Sequence, residues 1–523
     1  MDVDSAMLVY TTSYVTLVYY TRTLSNSLES FILVALIRNV LSELQRIERV
    51  FTSNPRSNLT RCDRTKNASS IGVFDWMEPS QLLKMAFYIT LGVFNRPTFV
   101  LFAYVPVLCF LFDGVLPESR KEFMNTLSHA MRKLFVLSLF TLLFLLVFIQ
   151  WDSYYYKFVT CHSHSDRPRE KCVDFALLVS QFFSDFRLED IIAVTPWNFI
   201  RYNMNSTNLA EHGTHSRFTH FFVNQPLLFG PLTLFIVFDI IVFAVYKGKS
   251  PFRRTSVVSE EDTKFWVATY TVPLALLSLF PHQEARFLIP LLLPLVVLYG
   301  HLIFGKSSVR AFRISWIALN ICAFIFFGFL HQRAVVPSIA YLRHKSLSQT
   351  VRYPTTVVFS NTYMPPRNLF MIRNDSRPNT FIESNFYKSL LIDKKYESRQ
   401  FLKADYFKVA DLQGQDLASV EKFIEERILP TVFSRKIYLV LPSTMEIELC
   451  LHESARKFSY LFVKQLPWHV STEHLPTMEY LNEWSRRGFP CSFCKKRAPC
   501  KLHPLHIFKP LFALNIYRVV HSK

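Results

Sequence analysis

In the run Phe-Pro-His-Gln-Glu-Ala-Arg-Phe-Leu-Ile-Pro at 280–290, His282, Glu284 and Arg286 stand at alternate positions between two strongly apolar stretches. Ionisable residues beside so much apolar sequence are costly unless they face water, a cavity or a partner. Their types suit one kind of chemistry. Arginine and histidine stabilise a phosphate that gains charge as a bond breaks, through charge-assisted hydrogen bonds placed where the charge develops. A carboxylate such as Glu284 can take the proton from an attacking hydroxyl. Sugar transfer with inversion needs both functions, one on each side of the ring, and a substrate with a phosphate head and a long apolar tail would sit at such a boundary.

Other polar islands interrupt the apolar sequence: Arg22, Asn26 and Glu29; Asn95 and Arg96; Asp152 and Tyr154; Asn198, His212, His215 and His220; His331 and Arg333. Each has an ordinary reading. Arg22, Arg96 and Arg333 can be anchors whose charged heads reach the interface, Asn26 and Asn198 can be helix caps, and Asp152 can end its span. Agreement favours a site, because islands far apart in sequence fall on one side of the membrane once the spans are counted.

The elements that must hold these islands follow from composition. Half of the 523 residues are hydrophobic, Phe alone contributes 51, and charged residues make up 19%. This composition reads as an α-helical polytopic membrane protein. Eleven glycines and no visible internal period exclude collagen-like and solenoid chains. Apolar runs long enough to cross a hydrocarbon core of about 30 Å lie at 4–20, 28–44, 97–114, 133–150, 221–246, 264–281, 287–304 and 311–330, with a shorter one at 81–95. The net charge of +19 gathers in short loops, around Arg120/Lys121/Arg132/Lys133, Lys247/Lys249/Arg253/Arg254 and Lys306/Arg310/Arg313. That pattern is membrane orientation by the positive-inside rule rather than a nucleic-acid surface, and no nucleic-acid partner is expected. The translocated side then carries residues 21–29, 95–97, the loop 151–220, the 282–287 segment and everything after His331.

The expected domains are therefore 1–331, a membrane domain of about nine helices with a translocated loop at 151–220, and 332–523, a translocated C-terminal domain. In the latter, 355–363 and 435–442 read as strands, 417–429 has the apolar spacing of an amphipathic helix, and Pro365 and Pro366 are expected to end a strand. A small α/β domain is expected. The sequons at Asn205 and Asn374 fall on the translocated side, while Asn58 and Asn67 fall on the other. Cys161 and Cys172 share one translocated loop and Cys450, Cys491, Cys494 and Cys500 share the tail, so an oxidising compartment would permit disulfides. Cys491, Cys494 and Cys500, with His503 and His506, also have zinc-like separations. Disulfides come first in such a compartment, and no metal is assigned.

The stretch His-Gln-Glu-Ala-Arg-Phe at 282–287, set between two apolar spans, resembles the H-K/Q-E-x-R-F signature of the dolichol-phosphate-mannose-dependent mannosyltransferases. These enzymes build glycosylphosphatidylinositol (GPI) anchors and N-glycan precursors in the endoplasmic reticulum. Segments at 13–29, 92–99, 151–156, 195–203, 208–220, 328–337, 362–369 and 471–476 extend the resemblance, and those at 208–220 and 362–369 point to the branch that adds a fourth mannose to the GPI precursor. The resemblance implies a GT-C type helical fold in the endoplasmic-reticulum membrane, with a lumenal active site and lumenal C-terminal domain. The donor would be dolichyl-phosphate mannose, with no further cofactor, and the acceptor the third mannose of the GPI-anchor glycolipid, joined α-1,2 with inversion. It places His282, Glu284, Arg286 and Phe287 in the signature and Arg22, Asn26, Arg96, Asp152 and His215 at substrate-binding positions.

One departure stands out. The His-Pro-Asp-Glu-like element whose acidic residue is the family's favoured base does not occur, and the chain begins at a segment that lies well downstream in relatives. A shortened chain lacking its base is expected, with Glu284 as a candidate substitute whose simpler role is to orient Arg286 or bind acceptor sugar. A smaller departure is Ser216, where relatives often carry proline. Rival readings are a sibling transferase adding the third GPI mannose or an N-glycan precursor mannose, a polytopic lipid transporter, and a non-catalytic isoform. Transporters usually carry repeats and midplane charges, whereas these charges gather at one edge.

Overall fold

A computed structural model describes residues 3–22, 24–52, 78–112, 120–159, 192–204, 215–246, 260–306, 308–347, 355–366, 369, 381–383, 407–429, 436–446, 449, 458–476, 478, 482 and 512–521. Its contacts divide the chain into two units, with the division on the main chain between Phe324 and Ile325.

The first unit is helical. Its elements are α1 (Val3–Thr12), a π turn at Val15–Tyr19, α2 (Ser25–Thr52), α3 (Pro79–Asn95), α4 (Phe99–Leu111), α5 (Arg120–Ser153) with a π turn to Val159, and α6 (Thr195–Met204). A π turn at His220–Asn224 then leads to α7 (Gln225–Phe229), α8 (Pro231–Tyr246), α9 (Glu260–Leu277), a 3-10 turn at Ala285–Leu291, α10 (Leu292–Phe304) and α11 (Arg310–Ile325). The described parts of all nine apolar runs are thus largely helical. Three segments have the length and apolar composition to cross a membrane: Thr126–Tyr156, Ala285–Phe304 and Arg310–Leu330. Together with the shorter apolar helices Phe99–Leu111 and Pro231–Val242, they make this the helical membrane-protein class.

Three runs are less regular than their hydropathy implies, the 4–20 run being interrupted at Ser13 between α1 and its π turn. The 221–246 run breaks at Gly230, which takes a positive φ of 49°, open to a residue without Cβ, and Pro231 then starts α8. The 287–304 run opens as a 3-10 turn containing Pro290, whose ring nitrogen has no hydrogen to donate to a helix. Lys133, expected in a basic loop, lies instead within α5, 1% exposed, with Nζ donating to the Phe110 carbonyl of α4 (3.1 Å).

The second unit contains a π turn (Phe326–Leu330), α12 (Val335–Leu347), β1 (Thr355–Phe359), β2 (Phe381–Glu383), β3 (Phe407–Asp411), α13 (Leu417–Phe423) continued by a π turn to Ile428, β4 (Lys436–Pro442), β5 (Phe458–Pro467) and β6 (Ala513–His521). These strands form one six-stranded sheet in the order β2-β3-β1-β4-β6-β5. The first four are parallel, while β6 runs antiparallel to both β4 and β5. β1 is buried along its whole length and β4 nearly so, as parallel strands covered on both faces must be. Leu417, Val420 and Ile424 pack on one face around Leu439, and Val335, Ile339 and Leu342 of α12 pack on the other around Val440. The expected α/β domain is present. β1 ends at Phe359, ahead of the two prolines, because Asn361 takes a left-handed φ of 54° that breaks the extended chain.

Candidate functional site

The polar site is built where helices of the first unit turn. α3 and α5 pack side by side, with Phe87 against Phe144 and Phe148, and Phe94 against Phe148, so their C-terminal ends lie at one level. Arg96 follows the last residue of α3 in an extended conformation (φ −154°), and the chain turns there into α4. Gly92 makes the turn tight: a Cβ there would lie 2.1 Å from the Phe99 ring of α4. The N-terminus of α2 meets this turn. Arg96 donates from Nη1 to Asn26 Oδ1 (3.1 Å) and Ser25 Oγ (3.2 Å), and from Nε to Thr98 Oγ1 (3.3 Å). Asn95 Nδ2 donates to the Ser25 carbonyl (2.9 Å). Beneath them lies Glu29, its side chain fully buried, 3.9 Å from Arg96 Nε and accepting hydrogen bonds from Thr98 Oγ1 (3.0 Å) and Asn26 Nδ2 (3.3 Å).

The signature loop between α9 and the 3-10 turn supplies the other half. Arg96 lies over the Phe287 ring, its guanidinium carbon 5.0 Å from the centroid, and Arg286 approaches the same ring at 6.0 Å. Phe287 is therefore a platform on which two cations from distant loops meet. Glu284 pairs with Arg286 through both guanidinium edge nitrogens, Nη2 at 2.9 Å, and with His282 Nε2 at 2.8 Å. Burial alone would raise the Glu284 pKa, but the His282 hydrogen bond and the Arg286 charge outweigh it and bring the carboxyl to about 2. At neutral pH this group is an ionised acceptor and a poor proton acceptor. Arg286 keeps 43% of its side chain exposed, so one edge of its guanidinium faces outward while Glu284 holds the other. Burial and the nearby Arg286 pull the Arg96 pKa down while Glu29 and Glu284 hold it up.

The loop is held by a residue the sequence did not single out. Gln283, 2% exposed, donates from Nε2 to the carbonyls of Ser278 (2.9 Å), Phe280 (3.1 Å) and Arg217 (3.3 Å), and its Oε1 accepts from the His220 amide (2.9 Å). His215 is drawn in by the same region: its amide donates to the Pro281 carbonyl (2.8 Å), its Nδ1 accepts from the Gln283 amide (3.3 Å), and its ring lies 5.7 Å from that of His282. Burial lowers the pKa of His215, and burial brings that of His220 to about 4, so both are neutral near pH 7. Asn224 Nδ2 then donates to His220 Nδ1 (2.8 Å).

Of the expected site residues, the structure brings Asn26, Arg96, His215, His282, Glu284 and Arg286 into this one region, with Glu29, Ser25, Thr98, Gln283 and Phe287 between them. Arg22 is exposed on the turn leading into α2. Asp152 is engaged elsewhere: its Oδ2 accepts from the amide (3.0 Å) and the hydroxyl of Thr195. Ser25, Thr98 and Gln283 could be found only by their nearness to polar islands already noted. His331, in the second unit, pairs through Nε2 with Thr472 Oγ1 (3.1 Å). Among the described residues no group of three or more His, Cys, Asp or Glu side chains is placed to hold a metal ion. His212, the sequons at Asn205 and Asn374, Cys161, Cys172 and the tail cysteines lie outside the described residues.

An arginine-lined polar edge on a bundle of apolar helices suits the binding of anionic groups beside an apolar phase. Comparison with known proteins makes the class definite: residues 3–372 match the Alg9-like mannosyltransferase family, and the chain belongs to it. It is similar to the GPI alpha-1,2-mannosyltransferase 4 of Homo sapiens, 31% identical over 376 residues, covering 70% of this chain and 55% of the human protein. It is also similar to the GPI mannosyltransferase 4 of Drosophila melanogaster, 26% identical over 523 aligned residues, covering 90% of this chain and 69% of that protein, and to that of Schizosaccharomyces pombe, 28% identical over 59% of this chain and 52% of that protein. The chain thus spans little more than half the length of the human and fission-yeast relatives it matches. No solved structure matches it.

Proposed function

We propose that the chain transfers mannose from dolichyl-phosphate mannose to the third mannose of a GPI-anchor precursor, forming an α-1,2 linkage with inversion at the lumenal face of the endoplasmic-reticulum membrane. The observation that carries the reading is the meeting of Arg96 and Arg286, from loops 190 positions apart, on the Phe287 ring. As the acceptor hydroxyl oxygen bonds the anomeric carbon and the bond from that carbon to the phosphate oxygen breaks, dolichyl phosphate leaves with the bonding electrons, the hydroxyl proton is lost to water, and charge builds on the phosphate. The exposed edge of Arg286, with Arg96 and His282 beside it, meets that charge, and a fixed donor set acts without reorganising. Arg22, exposed on the turn before α2, contacts the lipid-linked substrate from outside in this reading. Asn26 aligns Arg96. Glu284, with its low pKa and two cationic partners, orients Arg286 rather than taking the proton of the acceptor hydroxyl. His215 borders the same loop as a neutral group able to bond a sugar hydroxyl. The names and family of the matched relatives support the acceptor assignment.

The test uses membranes containing this chain, radiolabelled dolichyl-phosphate mannose, and GPI precursors bearing two or three mannoses. Label entering the three-mannose precursor is expected. Replacing Arg286 with alanine should lower transfer by about 10²–10³-fold, the usual effect of removing one electrostatic stabiliser of the transition state. Label in the two-mannose precursor or in a dolichol-linked oligosaccharide would assign the chain to a sibling activity. Donor binding without transfer would make it a non-catalytic binder, and undiminished transfer by the Arg286→Ala variant would remove that residue from the mechanism.

A further inference from the structure

We infer that α6 is a membrane-surface helix, lying at the boundary between lipid headgroups and acyl chains and fixing the depth of the polar site. Its ten residues bury only Pro196 among the described residues, yet it carries Trp197, Phe199, Ile200, Tyr202 and Met204 exposed. Trp197, Ile200 and Met204 recur at i, i+3 and i+7 and so share one face, with Trp197 61% and Met204 79% exposed. Arg201 sits beside that face, where its long stem can lie along lipid while its head stays in water.

The occupant follows from what α6 is joined to. Asp152 and Ser153, at the end of α5, hold the entry to α6: Asp152 Oδ2 accepts from Thr195 as described, and Ser153 Oγ accepts from the Ala193 amide (3.0 Å). The segment Thr126–Tyr156 has a mean hydropathy of 2.5 and only 6% of its most apolar window buried, so its sides face hydrocarbon. At its end Trp151, Tyr154, Tyr155 and Tyr156 are all exposed. Tryptophan and tyrosine collect at the headgroup level, where an apolar ring body meets a polar tip. The aromatic end of α5 and the apolar stripe of α6 thus continue one surface across a hydrogen-bonded joint, and the partner that fits both is lipid. Because α3 ends level with α5, the depth of this joint is also the depth of Arg96.

The experiment reconstitutes the chain in phosphatidylcholine vesicles whose acyl chains carry bromine either near the headgroup or near the methyl end. Trp197 emission is isolated as the difference between the parent chain and Trp197→Phe, a change on an exposed face that leaves the fold in place. Headgroup-proximal bromine should quench this emission more than deep bromine, and aqueous acrylamide should quench it weakly. Strong acrylamide quenching without bromine quenching would put α6 in water, and absence of both would show that another part of the chain covers it; either overturns the inference. Trp151→Phe gives an independent second reading with the same expected order.

Discussion

Arg96 touches two things at once, and separating them tests the site. It neutralises Glu29, a fully buried carboxylate, and it presents a cation beside Phe287. At the observed 3.9 Å, and at an effective dielectric of about 20, the ion pair is worth about 4 kcal/mol of attraction when Glu29 is ionised, but burial lifts the Glu29 pKa to about 7 even against Arg96, so near neutral pH the carboxyl is only part-ionised. Arg96→Met should therefore destabilise the chain by about 1–3 kcal/mol, less than the usual penalty for stranding a buried charge because Glu29 can take up a proton. Adding Glu29→Gln should return most of that loss. The glutamine Oε1 can still accept from Thr98, and the Asn26 amide, released by Arg96, can rotate so that its oxygen accepts from the new Nε2. Thermal aggregation in detergent reads the stability, and mannose transfer in membranes reads the function. The double variant should be near the parent in stability and still about 10²–10³-fold down in transfer. If the double variant recovers transfer along with stability, Arg96 serves only to neutralise Glu29, and the two-arginine reading of the site fails.

Three further outcomes follow from the geometry. Gln283→Leu leaves three carbonyls and the His220 amide without their side-chain partner, at about 1–3 kcal/mol for each group that finds no substitute, so transfer should collapse and the loop should become sensitive to protease. Gly92→Ala drives a methyl group into the buried Phe99 ring; the strain, about 1–3 kcal/mol, should exceed the helix-propensity gain of about 1 kcal/mol and shift the Arg96 turn, lowering kcat more than the aggregation temperature. In the C-terminal unit, burial, opposed by the Gln413 amide and aided by nearby Glu473, lifts the Asp411 pKa from 3.8 to about 6. An acid raised on folding costs nothing below pH 3.8, where both states are protonated, and its penalty grows as pH rises and is complete above about 6. Asp411→Asn should thus raise thermal stability by about 2–3 kcal/mol at pH 7, with no gain at pH 3.5; equal gains at both values would refute the electrostatic cause.

What could be read from the sequence depended on range. Apolar run length is a property of neighbours, and the described parts of the nine runs are largely helical, the arrangement that satisfies an apolar segment's backbone within itself. Hydropathy passes over the breaks at Gly230 before Pro231 and at Pro290, because run length takes no account of backbone dihedrals or of a missing N–H donor. In the tail the apolar runs at 355–363 and 435–442 announced β1 and β4, but β2, β3, β5 and β6 went unread. β5 carries a register shift between Phe462 and Lys464 that breaks its alternation, and β6 holds Asn515 fully buried on a Glu446 contact that no local pattern reveals. The site divides in the same way. Its residue types and its edge location were legible, because charge beside an apolar run is a local signal. Its wiring was not: Arg96 reaches back 70 positions to Asn26 and forward 191 to Phe287, while Asp152, equally polar and equally placed along its helix, turns to Thr195. Helix packing made that choice. The side-by-side contact of α3 and α5 brings both residues to one level, but only Arg96 lies on a turn that faces α2 and the signature loop, whereas Asp152 faces the incoming strand of chain that starts α6. Two polar residues with the same sequence signature thus acquire different partners, one joining α3 to α2 and the signature loop and the other joining the end of α5 to the start of α6.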